Sequence, residues 1–317
     1  MNKVQKTAVV AVGGNSLITD AAHQAIPDQY EATVTTVKRI VDIMESGWNV
    51  VVTHGSGPQV GYVLRRSEIA IKEVAPVPID YADADIQGAV GYMFQRALHN
   101  EFVKRGLEKN AIAVVSQVLV DQADPAFTSP TKPIGPQLDE AIAKERAKEL
   151  GWTVKDDAGR GWRRVVPSPM PQEILELKQI ELLAKSGFIV VACGGGGIPV
   201  IESEKKYLVG VEAVIDKDLA SSLLATKLKA EVFIITTGVE RVAINFNSPE
   251  EEWLDYLTLD RARDLYNSDH FDPGSMGPKI LAMIKYLDAG GAKGIITNPD
   301  NMMAALISNS GTIFTKC

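Results

Sequence analysis

Short apolar runs alternate along this chain with glycine-bearing loops and with longer segments whose apolar residues recur at helical spacing. Residues 7–12 are the first run, rich in alanine and valine, and Gly13-Gly14-Asn15-Ser16 stops it. Over residues 28–46, Val34, Val37, Ile40, Val41 and Met44 share one face, which predicts an amphipathic helix ended by Gly47. Residues 48–53 read as the next buried strand, followed by Gly55-Ser56-Gly57-Pro58. A second long helix is predicted over 83–105, with Ile86, Val90, Phe94, Leu98 and Phe102 on one face. Strands are predicted over 111–120, 188–193 and 232–236, and a helix over 217–228.

This alternation predicts an α/β fold with an open, mainly parallel sheet sandwiched between helices. In such sheets ligands bind outside the carboxyl ends of the strands, and three glycine loops fall at that edge. Strand order does not follow from the pattern. Residues 122–169 break the rhythm with several prolines, a charged helical stretch near 137–150 and a polar run at 155–164. The expectation is one domain over 1–317 with an inserted, protruding lid subdomain at 122–169. Trp152 and Trp162 are expected to form its small core, and Arg160, Arg163 and Arg164 a solvated face.

The chain's 317 residues are long enough for a full core, as is its hydrophobic content of 45%. A net charge of −7 argues against nucleic acid and anionic membranes as partners. Two cysteines, Cys193 and Cys317, make neither a disulfide framework nor a metal site. The N-terminus is too short in apolar residues for a secretion signal, and no apolar run approaches the ~20 residues of a membrane span. The expected compartment is the cytoplasm.

The chemistry-bearing residues are lysines in constrained settings. Asp216-Lys217-Asp218 follows the loop Gly194-Gly195-Gly196-Gly197, and each flanking carboxylate is expected to hold Lys217 protonated. Lys132 lies in Pro130-Thr131-Lys132-Pro133-Ile134-Gly135-Pro136, and Lys279 in Gly274-Ser275-Met276-Gly277-Pro278-Lys279. Fixed cations beside glycine loops suit charge neutralisation on a transferring phosphoryl group. Gly13-Gly14 and Gly55-Ser56-Gly57-Pro58 expose backbone N–H groups next to predicted helix starts, where anions bind. His54 has no carboxylate partner in sequence and reads as a hydrogen-bonded strand-end residue; Cys193 reads as a buried small hydrophobe. A P-loop, a dinucleotide fingerprint after the first strand and a serine-hydrolase elbow are all missing.

Taken together, these segments resemble the carbamate kinases of the amino-acid kinase fold. The resemblance runs through Ala11-Val12-Gly13-Gly14-Asn15, Thr53-His54-Gly55-Ser56-Gly57-Pro58-Gln59-Val60-Gly61 and Asp124-Pro125-Ala126-Phe127. It continues through the Lys132 segment, residues 157–169, Gly194 to Val200, Gly210 to Ala220 and the Lys279 segment. It implies reversible phosphoryl transfer between ATP and carbamate, giving ADP and carbamoyl phosphate, often run toward ATP in arginine or ureide breakdown. It also implies a homodimer, a central sheet of about eight strands, and Mg²⁺ carried on the nucleotide phosphates rather than in a protein metal site.

In this reading Lys132, Lys217 and Lys279 are catalytic, and Asp216 and Asp218 hold Lys217 and Lys279. Gly13, Gly14, Asn15, Gly55, Ser56 and Gly57 bind carbamoyl phosphate, while Gly195, Gly196, Lys217, Met276 and Lys279 meet the nucleotide. No general base is needed, since carbamate is already an anion. Ser56 stands where the family has asparagine, Ile86 where it has serine, and Gly238 where it has Asp or Ala. The alternatives are a kinase of the same fold acting on a related small carboxylate or carbamate, and a nucleotide-binding regulatory protein without turnover. Retention of all three lysines counts against the latter.

Overall fold

The computed structural model describes residues 5–14, 17–18, 20, 22–156 and 161–317. Asn15 and Arg160, both singled out above, lie outside the described residues. The elements run β1 (Thr7–Val12), α1 (Ile26–Glu45), β2 (Asn49–His54), α2 (Gly57–Ala70), α3 (Ile79–Arg105), β3 (Ala111–Ala113) and β4 (Gln117–Val120). Then come β5 (Lys132–Leu138), α4 (Glu140–Leu150), β6 (Thr153–Asp156), β7 (Trp162–Val166), β8 (Pro171–Ile174), α5 (Leu177–Lys185), β9 (Ile189–Val191), β10 (Ile198–Glu202) and β11 (Leu208–Gly210). The chain continues with α6 (Lys217–Lys227), β12 (Val232–Thr236), β13 (Val242–Ile244), β14 (Glu252–Leu254), β15 (Tyr256–Thr258) and α7 (Leu259–Asn267). It ends with α8 (Met276–Asp288), β16 (Lys293–Thr297), α9 (Met302–Leu306) and β17 (Thr312–Thr315).

The central sheet has eight strands in the order β15-β17-β16-β12-β1-β2-β9-β3, parallel throughout except where β17 meets β16. Residues of β1 alternate between its two faces. Val9 and Ala11 pack with Leu224 of α6 and Ile280 and Met283 of α8; Ala8, Val10 and Val12 pack with Ile40 of α1 and Phe94 and Leu98 of α3. Residues 8–12 are fully buried, so this strand reads as a continuous apolar run rather than an alternating one. The register sets Val12 beside His54, and Val52 beside Val191. The loops at Gly13, Gly55 and Cys193 therefore leave the sheet side by side at one edge.

The single strand expected over 111–120 is two. After Ala113, Val114 N–H still donates to Val191 O, but Ser116 N–H donates to the Gln87 side chain at 2.8 Å. A side chain from α3 takes over the ladder bond, and the chain passes into a second sheet of order β11-β10-β4-β8. The sequence pattern does not show this, because the apolar run continues across the switch.

Within residues 122–169, β5, β7 and β6 form an antiparallel sheet of their own, covered by α4. Ile134, Ala143, Val165 and Val166 are its buried residues. The tryptophans are only half-buried and carry cations: Arg146 and Arg164 lie 5.3 and 5.0 Å from the Trp152 ring, and Lys144 5.6 Å from Trp162. Arg163 donates to Gly135 O at 2.8 Å. These arginines are thus built into the subdomain rather than forming a solvated face, because planar guanidinium stacks on indole. The sheet meets α2 backbone to backbone at one point, where a Cβ on Gly61 would lie 2.2 Å from Gly135 Cα, with Ile134 packed in the same cluster as Val60 and Leu64.

Candidate functional site

The three lysines converge on the start of α6. Asp216 caps that helix, its Oδ1 accepting from Asp218 N–H at 2.9 Å and Leu219 N–H at 3.4 Å. Its Oδ2 accepts from Lys132 Nζ, which reaches across from β5. Asp218, in the first turn of the helix and 2% exposed, lies between the other two lysines. Lys217 Nζ is 2.8 Å from Oδ1 and Lys279 Nζ 3.0 Å from Oδ2. Asp216 thus holds Lys132, while Asp218 alone holds both Lys217 and Lys279. That differs from the expectation of two aspartates bracketing Lys217: in a helix start, residues 216 and 218 point in different directions.

Lys217 sits 2.8 Å from Asp218 as an ion pair but off the angle of a hydrogen bond, so its buried ammonium has no well-aligned hydrogen-bond acceptor among the described residues. Burial pulls its pKa below the ordinary lysine value, with Lys279 adding to the fall and Asp218 opposing it. Desolvation therefore dominates, against the expectation from sequence that the flanking carboxylates would. Burial opposes ionisation of Asp218 as well, yet the two ammoniums hold it well below the usual carboxylate range. Lys279 is held above its ordinary value, Asp218 outweighing the cost of burial.

The glycine loops line the space beside these cations. A Cβ on Gly55 would lie 3.2 Å from Gly14 N and 3.6 Å from Lys217 Cδ, so the first two loops and the lysine stem touch. Among the described residues, no heavy atom lies within 4 Å of a Cβ added at position 14 or 57. Gly57 and Pro58 open α2, and Ser56 at its N-cap makes no side-chain cap bond, leaving the helix-end N–H groups available to an anion. Gly13 N–H donates to Thr236 Oγ1 at 3.1 Å, tying the first loop to β12. Gly195, Gly196 and Gly197 all have positive φ, and a Cβ on Gly196 would meet Ile215 O at 2.4 Å. The turn fits under α6 only without side chains.

Gly195 abuts Ser56 and Asp83, and Met276 at the head of α8 packs on the core around Leu224 and Ile280. His54 is buried, stacked on Phe94 at 5.8 Å, with Nδ1 3.1 Å from Gly55 O. Burial pushes its pKa down to about 4, so at neutral pH Nδ1–H donates to that carbonyl. Cys193 is buried and its thiol pushed up to about 12 by burial. Neither carries chemistry at neutral pH. Sequence reasoning missed Gln87, which donates to Gly194 O at 3.0 Å and Ser116 O at 3.1 Å, and Asp83, a buried carboxyl beside the tetraglycine turn. A signal existed: Asp83 falls three residues before Ile86 and seven before Val90, on the apolar face of its helix.

Residues 6–298 match the model of the amino acid kinase family. A carbamate kinase of Thermococcus kodakarensis is 47% identical over 97% of this chain and 98% of its own length. A carbamate kinase-like protein of Escherichia coli, YahI, is 44% identical over 99% of this chain and 100% of its own length. Among solved structures, carbamate kinase from Giardia lamblia bound to AMP-PNP is 39% identical with a TM-score of 0.90, covering 98% of each chain. With a matched family model over most of its length and relatives at this identity from end to end, the chain belongs to the amino acid kinase family and, within it, to the carbamate kinases.

Proposed function

We propose that this enzyme moves a phosphoryl group between carbamoyl phosphate and ADP through Lys132, Lys217 and Lys279, with the pair Asp216 and Asp218 setting where those lysines stand. The observation that carries the reading is Asp218 buried with one lysine on each oxygen, beside a third lysine on Asp216. Phosphoryl transfer asks a protein mainly to position reactants and neutralise charge. Lys217, whose buried ammonium lacks an aligned hydrogen-bond acceptor among the described residues, is placed to donate to a transferring oxygen. Lys279 stands on the other side of Asp218, toward the nucleotide that the α8 segment with Met276 is read to meet. Backbone N–H groups of Gly14 and Gly57 at the start of α2 take the phosphate oxygens of carbamoyl phosphate, whereas Gly13 and Gly55, expected to donate as well, already give their N–H groups to Thr236 Oγ1 and Val12 O and shape the loops instead. Gly195 and Gly196 shape the floor below them.

A magnesium ion arriving with the nucleotide would supply further charge neutralisation. Asp216 and Asp218 fit that arrangement by giving their oxygens to lysines and backbone N–H groups, leaving the ion to arrive on the nucleotide. The reading extends to residues 122–169 as a lid that brings Lys132 to the phosphate and excludes water from a labile acyl phosphate. It extends also to a homodimer in the cytoplasm, run toward ATP in arginine or ureide breakdown. No helix among the described residues is long and apolar enough to cross a membrane. The test is ATP formation from ADP and carbamoyl phosphate in a hexokinase-coupled assay. Saturable ATP production supports the reading; nucleotide binding without turnover would replace it with the regulatory alternative.

A further inference from the structure

Phosphoryl transfer as described leaves one acidic group at this edge of the sheet without a task. Asp83, in the first turns of α3, is 1% exposed, and neither of its carboxyl oxygens has a hydrogen-bond partner among the described residues. Buried polar groups are nearly always paired, because an unpaired one loses its water without compensation. Burial, and next Asp80 one turn earlier, push the carboxyl well above the ordinary carboxylate pKa. In either protonation state it keeps an oxygen able to accept a hydrogen bond.

Its position follows from its neighbours. A Cβ on Gly195 would lie 2.5 Å from Ser56 Oγ and 3.8 Å from Asp83 Oδ1, so hydroxyl and carboxyl flank the same stretch of bare backbone. Ser56 follows Gly55, which is already against Gly14 and the Lys217 stem. Gln87, one turn after Asp83, fixes the tetraglycine turn through Gly194 O. Ser56 and Asp83 therefore stand together on Gly195, next in chain to the glycine that touches Gly14 and the Lys217 stem.

We propose that Asp83 is a specificity-determining residue, whose carboxyl oxygen accepts an N–H from the amino end of the carbamoyl group. The site then favours acyl phosphates carrying an amino group on the carbonyl carbon over isosteres carrying methyl there. This rests on the phosphoryl-transfer reading above. An amino group fills an acceptor that a methyl group leaves empty, which amounts to a preference on the order of 10–10²-fold.

The experiment compares carbamoyl phosphate with acetyl phosphate, its methyl isostere, as phosphoryl donors to ADP. It uses the full chain as wild type, Asp83→Leu and Asp83→Asn. Wild type is expected to favour carbamoyl phosphate in kcat/KM by at least about tenfold. In Asp83→Leu that ratio should fall at least about tenfold, the loss falling on carbamoyl phosphate. Asp83→Asn, whose Oδ1 still accepts, should keep most of the preference. A ratio that stays the same in Asp83→Leu, with both donors weakened together, would mean a structural role and overturn the inference while leaving the carbamate kinase reading intact. Should Asp83→Leu not fold, the wild-type ratio decides: no preference over acetyl phosphate overturns the inference by itself. Wild type without turnover of carbamoyl phosphate overturns both.

Discussion

Replacing Asp218 by asparagine removes the one charge that holds two lysines. At an effective dielectric of about 20, a unit charge roughly 3 Å away is worth about 5 kcal/mol before desolvation. The pair distances here are 2.8 and 3.0 Å. Removing one partner of a buried pair in practice costs about 3–5 kcal/mol, because the remaining charge stays out of water. Lys217 is the more exposed to that loss, since burial already pulls its pKa down and Asp218 is its largest support. The variant should then hold less protonated Lys217 at neutral pH. Activity at pH 7.5 should fall by roughly 10²–10³. Because acid restores the proton, the alkaline limb of the pH–rate profile should move to lower pH, and the deficit against wild type should narrow as the pH falls. Initial rates of ATP formation across pH 6 to 9 would show it. A variant within tenfold of wild type with an unmoved alkaline limb would refute the argument that Asp218 sets the charge of Lys217.

Lys132→Ala should raise the KM for carbamoyl phosphate far more than that for ADP; equal effects would remove Lys132 from the carbamoyl phosphate side. His54 titrates near 4 in the fold against 6.5 unfolded, so the unfolded chain binds more protons between those values. Stability should fall by roughly 3 kcal/mol as the pH drops through that window, and His54→Gln should lack this part of the slope. Urea denaturation at pH 7 and pH 4.5 measures it, and identical acid losses in both proteins would contradict the assignment. Amide exchange in β5, β6 and β7 should be faster than in β1 and β2, and should slow with carbamoyl phosphate bound. Protection equal to that of the sheet without ligand would make the subdomain a fixed element.

Much of this was legible because period and punctuation agree. The runs at 7–12 and 232–236 are β1 and β12 as bounded from sequence, and Val34 to Met44 mark the inward face of α1. The three lysine segments stand out through their Pro, Gly and Asp neighbours, two of which have a visible local role: Asp216 caps α6 and Gly135 touches α2. What stayed hidden depends on contacts far apart in sequence. The break at Ser116 needs Gln87, 29 residues earlier, and the exchange of partners between Asp216 and Lys132 spans 84 residues. Burial was the other missing quantity. Sequence shows two carboxylates beside Lys217 but not the desolvation that outweighs them. The arginines of residues 161–164 look solvated until Trp152 and Gly135 are seen beside them.

The most direct test of the central claim, that buried Lys217 neutralises the transferring phosphoryl group, is single-turnover phosphorus NMR or quenched flow with ADP and carbamoyl phosphate on wild type and Lys217→Ala. Wild type should convert bound carbamoyl phosphate to an equal amount of ATP. Lys217→Ala should bind ADP with little change yet slow the transfer step by about 10²–10³ or more. A variant that transfers at more than a tenth of the wild-type rate would contradict the claim.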